Sequence, residues 1–324
     1  MRTVITGGAG FLGQKLAHAL LAEGHRVRLL TRGKDPGIPG AEPMAGDLAD
    51  PASLVRAFDG CDAVFHTAGL VSYNPEKDAL MHATNVMGTR NAVDAARRAG
   101  VGRFVHTSST AAIGINYDPD RLMDETSPFN AQSLGMAYFT TKWEAEEEVR
   151  KGVAAGLDAV ILNPGSLLGA GDTRRYEQAY PGLIYRFHPR LLVHGGICFV
   201  DVNDAVAGHL LAWKKGRTGE RYILGGENLS FADLIRRTNA IIGRESPRAY
   251  LPLSLMGVAA SAIRILQKCG LHLHITPELV KQVCTWYLYV DSGKARRELG
   301  WRPQPIDRAI RETLDWLKGI GRIH

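Results

Sequence analysis

Tyr138 and Lys142 stand four residues apart in Tyr138-Phe139-Thr140-Thr141-Lys142, at the head of a helical stretch that continues through Trp143-Glu144-Ala145-Glu146. Residues i and i+4 share a helix face, so a phenol and an ammonium can point into one cleft. A tyrosine titrates near pH 10 in water, too high for a base at neutral pH, and a neighbouring cation favours its phenolate. Such a pair can move a proton to or from an oxygen; an ordinary surface pair is the alternative. A second chemistry-bearing stretch is Gly7-Gly8-Ala9-Gly10-Phe11-Leu12-Gly13, between a strand over 3–6 and a helix over 14–23. Its glycines let the backbone turn tightly and approach a pyrophosphate, whose charge then rests on the helix N-terminus. That context makes it a dinucleotide site. The second strand ends Leu29-Leu30-Thr31-Arg32-Gly33-Lys34, with no carboxylate before Asp35. Arg32 can fork a ribose 2′-phosphate and Lys34 can assist as a point charge, which favours NADP(H) and leaves NAD(H) as the alternative.

The elements that must position these groups follow an alternating rhythm. Strands are expected over 3–6, 26–31, 42–45, 62–67, 103–107 and 159–162, and helices over 14–23, 51–58, 80–99 and 135–152. Alternation of this kind belongs to an α/β chain, a doubly wound parallel sheet of Rossmann type. Asn163-Pro164-Gly165 is expected to break the sixth strand. Beyond about residue 165 the rhythm loosens. Strands are expected at 197–200, 221–224 and 286–290, and helices at 204–213, at 231–242 with Ser230 as N-cap, and at 305–317; residues 176–189 read as aromatic and irregular. The chain therefore divides into a dinucleotide-binding domain over 1–170, with elements returning from about 197–226, and a smaller α/β substrate-binding lobe over 171–324.

At 324 residues and 45% apolar content, the chain can bury a sizeable core and is not mainly disordered. Its 39 cations against 33 anions leave a net +6, but Arg97-Arg98 and Lys214-Lys215 are scattered pairs with no basic tract. They read as solvated faces, and no nucleic acid partner is expected. The acidic run Glu144, Glu146, Glu147 and Glu148 likewise reads as a solvated helix face. Cys61, Cys198, Cys269 and Cys284 lie far apart without metal-ligand spacing, which suggests reduced thiols in a cytoplasm. His272-x-His274 lacks further ligands nearby, so no metal is expected. Met1 leads straight into the glycine-rich turn, so no secretory segment is expected. Residues 251–266 form the longest apolar stretch, but Ser254, Ser261 and Arg264 interrupt it. It reads as a half-buried helix short of a membrane span, with membrane-surface contact as the alternative. No G-x-S-x-G supports a hydrolase.

Taken in order, the glycine-rich turn, Asp47-Leu48, His66-Thr67-Ala68-Gly69, Asn85-Val86-Met87-Gly88-Thr89, Thr107-Ser108-Ser109 and Tyr138-x-x-x-Lys142 resemble the extended short-chain dehydrogenase/reductase family. The resemblance spans roughly residues 1–170. Asn163-Pro164-Gly165-Ser166, Phe199-Val200-Asp201-Val202-Asn203-Asp204 and Gly219-Glu220-Arg221-Tyr222-Ile223-Leu224-Gly225-Gly226 extend it to most of the chain. It is nearest to the dihydroflavonol-reductase-like and hopanoid-associated epimerase-like branch. The resemblance implies hydride transfer, with Tyr138 giving or taking the proton. Lys142 would lower the tyrosine's pKa and hold the nicotinamide ribose. Ser109 would bond the substrate oxygen, with Ser108 as the alternative serine, and Asn85 would brace the site. Cofactor contacts are implied for Gly7, Gly10, Phe11, Leu12, Gly13, Arg32, Asp47, Leu48, Thr67, Ala68, Gly69, Asn85, Pro164, Gly165 and Ser166, besides Tyr138 and Lys142. By family analogy, the helices over 80–99 and 135–152 would form a homodimer interface.

Two enzyme classes compete for the small-molecule substrate. Sugar-nucleotide epimerases and dehydratases of this family place an arginine just before the strand that here begins at Cys198; that position holds Ile197, with Arg174, Arg175 and Arg186 as replacements. Asn163 is compatible with a sugar-nucleotide site and tightly bound NAD. Against this, Leu167, Leu168, Tyr176, Tyr180, Tyr185, Phe187 and Met256 are expected to line an apolar pocket or to be core, and a pocket suits a ketone, aldehyde or secondary alcohol on an apolar substrate. The reductase reading is favoured. A non-catalytic dinucleotide sensor is the third reading, opposed by the joint presence of Tyr138, Lys142 and Ser109.

Overall fold

The computed structural model describes every residue except 34, 174–178, 256–257, 259–260, 263–264 and 266–284. Its first half runs β1 (Arg2–Thr6), α1 (Phe11–Ala22), β2 (Arg26–Thr31), β3 (Ala41–Ala45), α2 (Pro51–Phe58), β4 (Ala63–His66), α3 (Asp78–Met81), α4 (Gly88–Arg98), β5 (Arg103–Thr107), α5 (Ala137–Ala154) and β6 (Ala159–Pro164). The second runs β7 (Ser166–Leu168), α6 (Tyr180–Phe187), β8 (Gly196–Asp201), α7 (Val202–Lys215), β9 (Arg221–Leu224), β10 (Glu227–Ser230), α8 (Phe231–Ile241), β11 (Tyr287–Leu288) and α9 (Ile306–Gly319).

Seven parallel strands form one sheet in the order β3-β2-β1-β4-β5-β6-β9. Val4, Ile5, Val64, Phe65, Phe104, Val105, Val160 and Ile161 are buried, the continuous apolar runs that a sheet covered on both faces requires. Leu16, Leu20, Phe65, Val105, Val206 and Trp213 form the core under α1 and α7. Leu54, Phe58, Val64, Ala92, Phe104 and Val149 form the core under α2, α4 and α5. Strand order reverses between β1 and β4, so their carboxyl ends open a crevice at the switch point. Asp50 caps α2 by accepting from the amides of Ala52 at 3.0 Å and Ser53 at 3.2 Å, with Pro51 in the first turn.

A second sheet is built around β8. β10 pairs antiparallel on one edge; β11 and β7 share the other, against opposite ends of β8 and both parallel to it. Phe199, Leu229, Ile235, Ile310 and Leu314 join α8 and α9 to this sheet. Ser230 caps α8 by accepting from the Asp233 amide at 3.0 Å. α7 and β9 return to the first sheet.

The structure departs from expectation in several places. The helix expected over 80–99 is divided into α3, a π turn over His82–Met87, and α4; such a widened turn re-aims a side chain, here Asn85. β6 runs on through Asn163 and Pro164. The amides of Ile161 and Gly165 serve the β9 side, so the missing Pro164 N–H falls on the side where β5 has already ended. Residues 180–187 are helical, with Pro181 in the first turn. The strand expected over 286–290 contracts to β11 with a bridge from Met123 to Val290. Lys34, Arg174, Arg175, Tyr176, Met256, Cys269, Cys284, His272, His274 and much of 251–266 lie outside the described residues. Among the described residues, no helix is long and apolar enough to cross a membrane.

Candidate active site

Gly7 sits at φ 70°, and its carbonyl accepts from the Gly10 amide at 2.8 Å. A Cβ at Gly7 would lie 2.8 Å from Ala68 Cα, and one at Gly13 would run into the Gly7 oxygen. Side chains are therefore excluded from the turn by backbone. Gly10 caps α1 without a side chain, which leaves the first-turn amides of Phe11 and Leu12 open to an anion. This cradle fits the pyrophosphate of a dinucleotide. Arg32, exposed just past β2, forms no ion pair among the described residues. Asp47 is held in a turn after β3: its Oδ1 accepts from the Ala49 amide at 2.8 Å, and its own amide donates to Ser53 Oγ at 3.1 Å. Leu48 packs on the start of α4, where a Gly88 Cβ would approach its Cδ1 to 2.9 Å.

A buried hydrogen-bond chain fixes the loop after β4. The Ala68 amide donates to Thr6 Oγ1 at 3.3 Å, and Thr67 Oγ1 donates to the Thr6 carbonyl at 2.7 Å. Thr89 Oγ1 spends its proton on the Asn85 carbonyl at 2.5 Å, so it accepts from His66 Nε2 at 3.1 Å. His66 Nδ1 then accepts from Thr6 Oγ1 at 2.8 Å. Burial, aided by the Lys142 charge, pushes His66 down to about 3, so the ring is neutral and this tautomer is the stable one. Asn85 accepts from the Leu70 amide at 2.7 Å and donates to the Leu70 carbonyl at 2.9 Å and to Thr141 Oγ1 at 3.2 Å. The loop carrying Gly69 is thereby tied to β1 on one side and α5 on the other.

Tyr138 is the second residue of α5, where the positive end of the helix dipole favours a phenolate. Its ring meets Tyr73 edge-on at 6.2 Å. Lys142, one turn on, is buried. Its Nζ donates to the Thr107 carbonyl at 2.7 Å, and a Cβ on Gly69 would lie 3.8 Å from it. Desolvation lowers this ammonium to about 8, with the Glu146 charge opposing the fall. Two residues past Thr107, Ser109 is half-buried, its Oγ accepting from the Ala111 amide at 3.2 Å and keeping its proton for another acceptor. Ser108 is buried and donates to Glu146 Oε1 at 2.6 Å. Of the two serines, Ser109 is the accessible one. Pro164, Gly165 and Ser166 follow at the end of β6, where a Gly165 Cβ would strike the Cys198 carbonyl at 2.8 Å.

One expectation requires correction. Glu146 and Glu148 are buried, not solvated, because α5 packs against β6 and α4: Arg90 of α4 grips Glu148 at 2.8 and 3.0 Å and helps hold its carboxyl down to about 2. Of the residues expected to be pocket lining or core, those described are mostly packed in or against the core. Leu168 is core, and Tyr180 is wedged against Phe199 and Phe231. Leu167 packs on the first core, Tyr185 lies under Arg244 at 4.5 Å, and Phe187 is 69% exposed. The wall around Tyr138 is instead Phe129, Leu134, Met136, Phe139, Ile197, Trp286 and Leu288, with Tyr73 beside it. These come from four separate chain segments, around 73, 129–139, 197 and 286–288, and no spacing in the sequence connects those segments. Asn163 is fully buried, with both amide protons committed to the Ser109 carbonyl and Glu146. An open cleft of about 460 Å³, lined by Glu125, Arg150, Arg221, Lys294 and Glu298 among others, contains none of the expected site residues.

The chain belongs to the NAD-dependent epimerase/dehydratase family, whose model matches residues 3–225. A Synechocystis protein with the provisional name dihydroflavonol 4-reductase is 34% identical over 332 residues, covering 98% of this chain and 95% of the relative. A Mycobacterium tuberculosis 3 beta-hydroxysteroid dehydrogenase/Delta 5-->4-isomerase is 30% identical, covering 97% and 90%. The solved structure of PA4631, a nucleoside-diphosphate-sugar epimerase from Pseudomonas aeruginosa, superposes with a TM-score of 0.78 at 26% identity, covering 100% and 99%. Family and relatives together make this protein an NAD(P)-dependent oxidoreductase of the extended short-chain dehydrogenase/reductase type.

Proposed function

We propose that the protein interconverts a carbonyl and a secondary alcohol on a largely apolar, ring-bearing substrate, with NADP(H) as its preferred cofactor. The observation that carries this reading is the buried Lys142 ammonium, held on the Thr107 carbonyl one turn from Tyr138 and beside an apolar wall. Tyr138 gives its proton to the substrate oxygen in reduction and takes it back in oxidation. The helix dipole and the Lys142 charge both stabilise the phenolate left behind, which brings a group of ordinary pKa near 10 towards neutral pH. Ser109 donates its hydroxyl to the same oxygen and fixes it before Tyr138, a contribution of position.

The residues present fit a dinucleotide. Gly7, Gly10, Gly13 and the first turn of α1 would hold the diphosphate, Asp47 and Leu48 the adenine side, and Arg32 a 2′-phosphate. Thr67, Ala68, Gly69 and Asn85 would line its middle, with Lys142, Tyr138 and Pro164-Gly165-Ser166 at the nicotinamide end. When bound, this cofactor supplies or accepts the hydride. The ring-bearing substrates named for the Synechocystis and Mycobacterium relatives support an apolar substrate here. The epimerase neighbour supports the sugar-nucleotide reading, but Ile197 and the committed Asn163 offer no clamp for a diphosphate sugar. We further propose a homodimer through the outer faces of α4 and α5.

A panel of ring ketones, aldehydes and nucleotide sugars, followed by the loss of NADPH absorbance, tests the reading. Turnover with an apolar ketone and exchangeable NADPH is expected. Retained NAD released only on denaturation, together with nucleotide-sugar turnover, would overturn it.

A further inference from the structure

Glu146 lies on α5 one turn beyond Lys142 and two turns beyond Tyr138, with no exposed surface. Four donors converge on its carboxylate. Ser108 Oγ and Asn163 Nδ2 each donate to Oε1 at 2.6 Å, while Arg150 donates to Oε2 at 2.8 Å and Arg221 at 3.4 Å. A buried carboxylate persists where donors replace its lost water, and here they arrive from the ends of β5 and β6, from α5 itself and from β9. Two of the four touch the reacting segment. Ser108 immediately precedes Ser109, and the same Asn163 nitrogen that meets Glu146 also donates to the Ser109 carbonyl at 2.9 Å. Among the described residues Asn163 Oδ1 is buried without a partner, so the two bonds from Nδ2 set the orientation of this side chain.

We propose that Glu146 is a positioning residue for the reaction: through Ser108 and Asn163 it fixes the backbone that presents the Ser109 hydroxyl, and from one turn away its charge faces the Lys142 ammonium. This rests on the assignment of Ser109, Tyr138 and Lys142 as the reacting groups. Around Lys142, β4 supplies His66 and β5 supplies His106, both buried and held neutral; α5 supplies Tyr138 and Glu146; the π turn supplies the uncharged Asn85. Glu146 is thus the anion that opposes the desolvation of Lys142. Removing its charge leaves the lysine to lose its proton at lower pH.

Glu146→Gln in the full chain, assayed with the ketone selected by the substrate panel, is expected to lower kcat about 10-fold or more with NADPH affinity unchanged. The alkaline fall of kcat is expected to move about 0.5 pH unit or more towards acid, and Glu146→Asp is expected to recover part of both. A folded Gln variant with wild-type kcat and pH profile overturns the proposal; so does a fall in kcat with the alkaline limb unmoved, which marks a packing defect alone. If circular dichroism shows the Gln variant unfolded, Ser108→Ala decides, since it removes one arm and keeps the charge. Several-fold loss of kcat with an unmoved alkaline limb is then expected, and wild-type kcat overturns the positioning role. Tyr138→Phe is measured alongside. Full turnover in that variant sinks the underlying assignment, whereas an inactive Tyr138→Phe beside an unaffected Glu146→Gln sinks the role of Glu146 alone.

Discussion

The seven-stranded sheet and the β8 sheet solve different problems with the same kinds of residue. In the first, one set of candidate site residues sits at or just beyond the carboxyl ends of strands, Gly7 after β1, Arg32 after β2, Asp47 after β3, Thr67 after β4 and Ser109 after β5, while Tyr138 and Lys142 come from α5. Parallel strands bring those ends to one rim, so short local motifs become one crevice. The β8 sheet has antiparallel β10 on one edge and two short parallel strands sharing the other, and Phe199 of β8 is fully buried. Tyr180 and Phe199 there are structural. The wall beside Tyr138 is collected from both regions, through Ile197 of β8 and Trp286 ahead of β11. A repetitive architecture makes a site from local signals; an irregular one makes it from contacts between distant residues.

The contrast can be broken by variants that should separate chemistry from support. Tyr138→Phe is expected to lower kcat about 1,000-fold while NADPH affinity stays within about twofold, by stopped-flow and fluorescence titration. Phe199→Ala should cost about 3–4 kcal/mol of stability by denaturant titration, because it empties the core of the second sheet; cofactor affinity of the folded fraction should hold. Gly13→Val places a side chain against the Gly7 carbonyl, and calorimetry should show about 100-fold weaker dinucleotide binding. Arg32→Ala should weaken NADPH about 10-fold and leave NADH unchanged; equal losses for both would remove its role.

The smallest effect concerns Lys142, which burial holds at about 8 against an ordinary 10.5. Below about pH 8 both folded and unfolded chains carry the proton, so the full desolvation penalty is present. As pH rises from about 8 towards 10.5, the unfolded chain binds more protons and the penalty is relieved. Lys142→Met should therefore be about 1–2 kcal/mol more stable at pH 7, with the advantage fading across that alkaline window, and should lack turnover. Thermal melts at pH 7 and 10 measure the difference.

Much of the candidate site's geometry was legible in the sequence because its parts are local. The glycine spacing, the i, i+4 pair and the turn after each strand are backbone-scale features. Ser108 and Ser109 are neighbours of like chemistry, and only burial and hydrogen-bond partners distinguish them. The acidic run on α5 misled because alternating burial within it depends on Arg90 of α4 and Arg221 of β9, residues 58 and 75 positions away.

By itself the sequence determined the parallel alternation of strands and helices, the dinucleotide turn and the Tyr138–Lys142 register, since each depends on steric and periodic rules acting over a few residues. Tertiary structure decided the rest: the neutral tautomer of His66, the lowered charge affinity of Lys142, the commitment of Asn163 and the identity of the apolar wall. Each of these depends on solvent exclusion and on partners supplied by distant strands, and no local pattern encodes which water molecules a folded chain will remove.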